Sequence, residues 1–382
     1  MAELLQEKTP QIEEANRKDI DSAAKKGIPG PTVKRLVFDS GKIGSRINSL
    51  HKIAALPDPI GKVTDFHRTE NGLSAGRMRI PLGVILMIYE ARPHVTVNGG
   101  ALCFKAGNSV ILRGGSEAAR CNALIGNLWQ QALTESELPA ETIQVFSGSH
   151  DDVEQLLQMK EYIDLVIPRG SRELIQHVSE KSKIPVIKHS AGICHVYLDA
   201  SADIEKGINI AIDSKCLMPS VCNAAETLLV AETLAPHLPQ IINRLVKEGI
   251  EVKGCKKTRA AAGNIGEAEE KDWTAEYLEK IYSVRVVKGI DEAIEHINIY
   301  GSHHTDAIVT EDYTGAQKFL RQVDSAVVLV NASTMFCDGE TLGMGAEVGI
   351  STDKIHARGP VGIEDLTSYK HIIYGSGQIM GR

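Results

Sequence analysis

What the chain lacks narrows its chemistry first. It holds no CxxC pair and no HExxH stretch, so no zinc or other metal site is expected. No run of about 18 apolar residues is present to span a bilayer. The opening Met1-Ala-Glu-Leu-Leu-Gln-Glu-Lys8 is charged helix and not the apolar segment of a signal peptide, which predicts a cytoplasmic protein without a membrane partner. Clusters of basic residues are missing and the net charge is −7, so nothing calls for nucleic acid. The seven cysteines are odd in number and irregularly spaced, which argues against a disulfide framework and for reduced thiols. A GxGxxG fingerprint is also missing, because Gly343-Met-Gly345-Ala-Glu-Val348 lacks the third glycine and follows a loop. Internal repeats and low-complexity tracts are not evident. A small molecule is the expected partner.

What is present is the composition of an ordinary globular protein, with 43% hydrophobic and 24% charged residues. At 382 residues it is too long for one core, so two large domains and a small projection are expected. Residues 1–28 read as helix, broken by Gly27-Ile-Pro-Gly-Pro31, and 32–56 as a second helical stretch. Residues 63–80 change period around Asn71-Gly72, a strong hairpin signal, and a lone two-stranded ribbon is expected to add to a partner's sheet. From Val84 onward, short apolar runs at 84–89, 109–112, 142–146, 163–167 and 184–188 alternate with helical stretches. That alternation predicts an α/β fold with a parallel, doubly wound sheet that binds ligands beyond its strands' carboxyl ends. A second series follows, with strands at 227–230, 284–288, 305–310 and 326–330 and helices at 236–248, 291–297 and 313–323. The division expected is 1–198, 199–360 and a tail of 361–382 with a strand at 366–379.

Cys222 lies where the two series meet. Pro219 and Ser220 stop the amphipathic run 203–215, and the strand at 227–230 follows, so the cysteine falls on a turn. A cysteine so placed is most often a small buried hydrophobe. The stretch Pro219-Ser-Val-Cys-Asn-Ala-Ala-Glu-Thr-Leu-Leu229, however, resembles the nucleophile segment of the γ-glutamyl phosphate reductases, the proline-biosynthesis branch of the aldehyde dehydrogenase superfamily. Glu90-Ala-Arg-Pro-His-Val-Thr96, Arg113-Gly-Gly115 and Pro168-Arg-Gly170 are similar to motifs of the same family, and 345–362 is the longest match. The resemblance runs from about residue 10 to the end.

The resemblance implies an aldehyde dehydrogenase-like fold of two doubly wound domains: a cofactor domain at 1–198 and a catalytic domain at 199–360. It gives the hairpin at 63–80 and the C-terminal strand to oligomerisation, as a homo-dimer or tetramer. The implied reaction is NADPH-dependent reduction of L-γ-glutamyl 5-phosphate to glutamate 5-semialdehyde through a thioester on Cys222. Glutamate kinase is the further partner it suggests. Arg92, at a strand's carboxyl end, suits a fork on a carboxylate or phosphate, against the plain alternative of a surface salt bridge. The family likeness assigns it to the substrate, together with Asn223, His356 and Arg358.

Gly114 and Gly115 before a helix resemble the family's cradle for the adenosine ribose of NADP, with Arg113 and Ser116 beside them. Pro168, Gly170 and Ser171 fall near the pyrophosphate and nicotinamide in the family, and Glu276 at the nicotinamide ribose, where a solvated helix charge is the equal alternative. Ser116 replaces a usual lysine and Met335 a usual arginine, and the N-terminal helix is shorter than in relatives. The stretch Lys188-His-Ser-Ala-Gly-Ile-Cys-His195 carries no carboxylate where hydrolytic aldehyde dehydrogenases activate water, which suits a thioester resolved by phosphate. Cys194 and Cys216 are expected to be packed, and His189 and His195 to make local hydrogen bonds. Two alternatives stand beside this reading: another aldehyde dehydrogenase acting on a free aldehyde, and an assembly subunit that has lost turnover.

Overall fold

Strand Val84–Tyr89 contains no charged residue, and its side chains alternate between two cores: Ile85, Met87 and Tyr89 in one, Leu86 and Ile88 in the other. A strand buried on both faces belongs to a parallel sheet covered by helices. In the computed structural model, which describes residues 1–188 and 191–380, it pairs in parallel with Ser109–Gly114 and Leu165–Arg169. Ile143–Val145 extends the sheet beyond Ser109–Gly114. The strand expected at 184–188 is reduced to one parallel bridge between Val166 and Val186. Pro185 has no N–H to continue a ladder and contributes only its carbonyl, to Val166 N at 2.9 Å.

The second sheet has seven parallel strands in the order Gly266–Glu267, Glu251–Gly254, Ile281–Val287, Ala225–Ala231, Cys194–Leu198, Thr305–Val309 and Val327–Val330. Three of these, Gly266–Glu267, Glu251–Gly254 and Cys194–Leu198, were not expected from the sequence. The last corrects the division at 198: it lies between Ala225–Ala231 and Thr305–Val309, so the chain changes sheet before residue 194. Its strand character is masked by His195, which is tolerated inside the sheet because its backbone N and Nδ1 both meet Asp306 Oδ1 at 2.8 Å. A further correction concerns the stretch that ends at 360. Ala346, Val348, Ala357, Val361, Ile363 and Leu366 return to the first core, beside Ile85 and Met87.

The hairpin forms as expected, Val63–Arg68 against Ser74–Pro81, with Gly72 at φ +85° in its turn. Its second strand also pairs, from Ser74 to Pro81, with Thr367–Tyr374 of the same chain, giving a three-stranded antiparallel sheet. Four helices lead in: Ala2–Glu7, Thr9–Lys25, Gly30–Leu36 and Ser40–Ala55. Asn16 anchors the last two, donating to Leu36 O and accepting from Phe38 N, both at 2.8 Å. Among the described residues no helix is long and apolar enough to cross a membrane.

Candidate active site

Cys222 is placed by its neighbours in the chain and by a glycine from elsewhere. Asp203 caps the helix Ile204–Cys216, accepting from Lys206 N at 2.9 Å. The helix ends ahead of Pro219, and Cys222 sits in the turn before the buried strand Ala225–Ala231. Gly192 lies against it so closely that an added Cβ would stand 1.9 Å from Cys222 O. Gly192 N in turn donates to Glu276 Oε1 at 2.8 Å. Two residues on, Leu278 N meets Glu226 Oε1 at 3.3 Å, and Glu226 is ion-paired with Lys215, both fully buried. Cys194, packed as expected, donates its thiol to Cys222 O at 3.3 Å. The nucleophile candidate therefore rests on a rigid floor while its own side chain stays partly exposed.

Asn223 points its amide the other way. Its Nδ2 donates to the carbonyls of Thr334, Met335 and Cys337 at 3.1–3.3 Å. It fastens the loop after strand Val327–Val330 to the cysteine turn.

Burial pushes the Cys222 thiol up to about 11; Arg169 opposes this, while Glu347 and Glu276 reinforce it. The cation whose charge acts on the thiol is thus Arg169. Arg169 lies between Pro168 and Gly170, in a motif from which the sequence singled out its neighbours but not Arg169 itself. Its Nε is buried without a hydrogen-bond partner. Arg92 stands next to it, with Nη1 3.4 Å from the carbonyls of Glu90 and Arg169. Burial and the charges of Arg169 and Arg35 push Arg92 down to about 10. Glu347, which accepts from Gly339 N at 2.9 Å, is pushed up to about 7 by burial.

Of the residues expected to hold the cofactor, Arg113, Gly114, Gly115, Ser116 and Ser171 line one groove in two parts, while Pro168, Gly170 and Glu276 line neither. Arg113, Gly114, Gly115 and Ser116 border a cavity with Asn122, Asn127 and Gln130. A second cavity shares Arg113, Gly115 and Ser116 and continues to Glu90, Arg92 and Ser171. A side chain at Gly114 would collide with Asn122 Nδ2 at 2.1 Å, so the strand end approaches the helix Ala119–Glu135 only as glycine. The glycine floor, the guanidinium and the amide donors fit a phosphorylated adenosine. Ser171 caps the helix Arg172–Lys181, and its N–H and hydroxyl both donate to Glu90, at 2.6 and 3.1 Å. Gly170 packs against the same carboxylate, which the sequence reading missed. Pro168 is buried within its strand, paired with Ile88, and lines neither cavity.

His356 and Arg358 are turned to other partners. His356 is exposed, with Nε2 3.1 Å from Asp365 O, and Arg358 is ion-paired with Asp324 at 3.0 Å. His195 makes the local hydrogen bond expected of it, and His189 lies outside the described residues. Among the described residues no group of His, Cys, Asp and Glu is arranged to hold a metal ion.

The aldehyde dehydrogenase family model matches residues 34–286, and the chain belongs to that family of oxidoreductases, whose members use a nicotinamide cofactor. An acetylating aldehyde dehydrogenase from Geobacillus thermoglucosidasius shares the fold, with a TM-score of 0.68 at 16% identity, covering 100% of this chain and 94% of that one. Closer relatives place the chain in the gamma-glutamyl phosphate reductase branch. The gamma-glutamyl phosphate reductase of Geobacter metallireducens is 49% identical over 381 residues, 99% of this chain and 91% of the relative. That of Nautilia profundicola is 47% identical over 381 residues, 99% of this chain and 92% of the relative. The crystal structure of the Thermotoga maritima gamma-glutamyl phosphate reductase has a TM-score of 0.96 at 43% identity, covering 99% of this chain and 92% of that one.

Proposed function

We propose that the chain reduces L-γ-glutamyl 5-phosphate to L-glutamate 5-semialdehyde and phosphate, with NADPH as reductant and Cys222 as nucleophile. The observation that carries this reading is a partly exposed cysteine whose backbone is held against Gly192 and whose thiol feels the charge of Arg169. Sγ attacks the acyl carbon, a C–S bond forms, and the C–O bond to phosphate breaks with its electron pair leaving on phosphate. Arg113 and Ser116 would hold the adenosine end of the cofactor, which when bound would supply the hydride that reduces the thioester. Collapse of the resulting thiohemiacetal releases the semialdehyde and returns the thiol.

The chain's own groups prepare each stage. A thiol pushed up to about 11 is protonated at neutral pH, so its proton needs an acceptor at the moment of attack. Glu347, pushed up to about 7, is substantially ionised at neutral pH and lies close enough for its charge to act on the thiol, which makes it the acceptor proposed for that proton. Arg169 faces the charge that develops on the acyl oxygen and the leaving phosphate. Asn223 contributes through the loop it holds, and His356 and Arg358 take no part in this constellation. Arg113 is the contact proposed for the 2′-phosphate that separates NADP from NAD. The three-stranded sheet, whose strand Val63–Arg68 is exposed throughout, is the surface proposed for homo-oligomer formation, and glutamate kinase the enzyme proposed to hand on the substrate.

The test runs the reaction backwards. Reduction of NADP by glutamate semialdehyde should require inorganic phosphate and exceed the rate with NAD. Cys222→Ser should abolish turnover while NADPH binding persists. Phosphate-independent oxidation, or a wild-type rate in the serine variant, would remove the assignment.

A further inference from the structure

Five cations converge on one cavity, and the ion pairs of the fold do not include them. Lys34 and Arg35 come from the helix Gly30–Leu36, Lys42 and Arg46 from Ser40–Ala55, and Arg92 from the cap of Pro93–Lys105, with Ser45 and His94 completing the wall. The carboxylates whose charge reaches Arg46 and Arg92 are held by other partners, Glu340 by Lys52 and Glu90 by Ser171. Among the described residues none of the five cations is ion-paired with a carboxylate, in a chain whose net charge is −7. His94 records the resulting field: burial and the charges of Arg46, Arg92, Arg169 and Lys42 push it down to about 4. Like charges gathered at this density oppose folding unless something anionic joins them.

The cluster is built by the helices. In Ser40–Ala55 the buried residues are Ile43, Leu50 and Ile53, and Lys42, Ser45, Arg46 and Ser49 recur at three- and four-residue spacing along the edge of that buried face, with Arg46 between Ile43 and Leu50. Asn16 holds the junction between this helix and Gly30–Leu36. Lys34, Arg35 and Lys42 stand at the exposed rim, while Arg46 and Arg92 are half-buried inside. The cavity joins the cofactor groove through Arg35 and Arg92. On the other side it shares Ser45 and Arg46 with a cavity that holds Glu347, the carboxylate next to the thiol.

Resting on the activity proposed above, the substrate's reacting carbon lies at Cys222 and its phosphate beside Arg169. Its α-carboxylate is four carbon–carbon bonds from the reacting carbon and needs its own cation. We propose that Arg46, with Arg92, binds this α-carboxylate and selects an amino-acid acyl phosphate over a plain one, while the rim cations Lys34, Arg35 and Lys42 steer it inward. Arg46 reaches both cavities, so it is the residue that senses whether the remote end of the substrate carries the charge.

The experiment uses the whole protein in the oxidising direction with NADP, phosphate and three aldehydes. Glutamate semialdehyde carries both head groups, 5-oxopentanoate keeps only the carboxylate, and pentanal has neither. A charge-assisted hydrogen bond contributes roughly 1.5–3 kcal/mol, so Arg46→Met should raise KM for the first two aldehydes by about 10- to 100-fold. KM for pentanal, phosphate and NADP should stay unchanged, and Arg46→Lys should recover most of the loss. Equal discrimination between glutamate semialdehyde and pentanal in wild type and Arg46→Met would overturn the proposal. A rise confined to KM for phosphate would assign the cavity to the leaving group, and a rise confined to NADP to the cofactor, and either also overturns it. Should Arg46→Met melt well below wild type, Arg92→Met, which removes the second cation proposed for the α-carboxylate, reads the same ratios. A wild-type enzyme that fails to oxidise glutamate semialdehyde with phosphate would instead sink the activity itself.

Discussion

Two groups of charge near the thiol obey opposite rules. Lys215 and Glu226 lie fully buried beneath the cysteine turn, paired with each other, with Lys215 over the ring of Tyr282 at 5.7 Å and Glu226 also accepting from Leu278 N. Burial works against both charges, lowering the lysine and raising the glutamate, and each is held by the other. Among the described residues the cations around Arg46 and Arg92 form no such ion pair. A charge completed within the chain shapes the backbone, whereas a charge left incomplete at a cavity is available to a solute. The first group therefore belongs to stability and placement, and the second to recognition.

That contrast can be broken most forcefully at Lys215. Lys215→Met leaves Glu226 buried without its counter-charge and is expected to cost about 3–5 kcal/mol in denaturant unfolding, most of it recovered by Lys215→Met/Glu226→Leu. A double variant as unstable as the single one would show that the pair is not the unit assumed. Next in size is Gly192→Ala. Its Cβ would press on Cys222 O, and a displaced nucleophile should lower kcat on the order of 100-fold with little loss of NADPH binding. Unchanged kcat, with an unchanged rate of thiol alkylation, would mean that this contact does not place the sulfur.

Glu347→Gln sharpens the comparison through pH. The folded chain holds the Glu347 proton up to about 7, against 4.5 for an unperturbed glutamate. Above pH 7 the native carboxylate therefore costs stability, and the cost fades as pH falls toward 4.5. The glutamine variant should be more stable than wild type at pH 8, by about 1–3 kcal/mol, with the difference vanishing near pH 4.5. Because the base acts when ionised, wild-type kcat/KM should rise with pH through about 7, and the variant should lose that limb. A variant that keeps the wild-type rise would exclude Glu347 as the proton acceptor. The smallest effect is expected for the stability of Arg46→Met. Removing a cation from an unpaired cluster should change unfolding free energy by no more than about 0.5 kcal/mol. A loss of several kcal/mol would place Arg46 with Lys215 and erase the distinction.

The sequence by itself determined what depends on neighbours along the chain. Apolar runs alternating with helical ones specified two parallel α/β sheets, Asn71-Gly72 the hairpin, and Pro219 with Ser220 the turn that carries Cys222, because period and turn chemistry act over a few residues. Only tertiary structure decided what depends on meetings across the chain. His195 and Asp306 hide a strand by satisfying each other across 111 residues, and 346–366 crosses back to the first core because its apolar side chains find room there. Arg169, at the end of strand Leu165–Arg169, is brought close enough for its charge to act on the thiol. Lys34, Arg35, Lys42 and Arg46 look in sequence like ordinary solvated helix charges. They become a site when packing two helices against the start of a third leaves them facing one cavity, since charge acts through space and the spacing of residues along a chain does not fix distance in the fold.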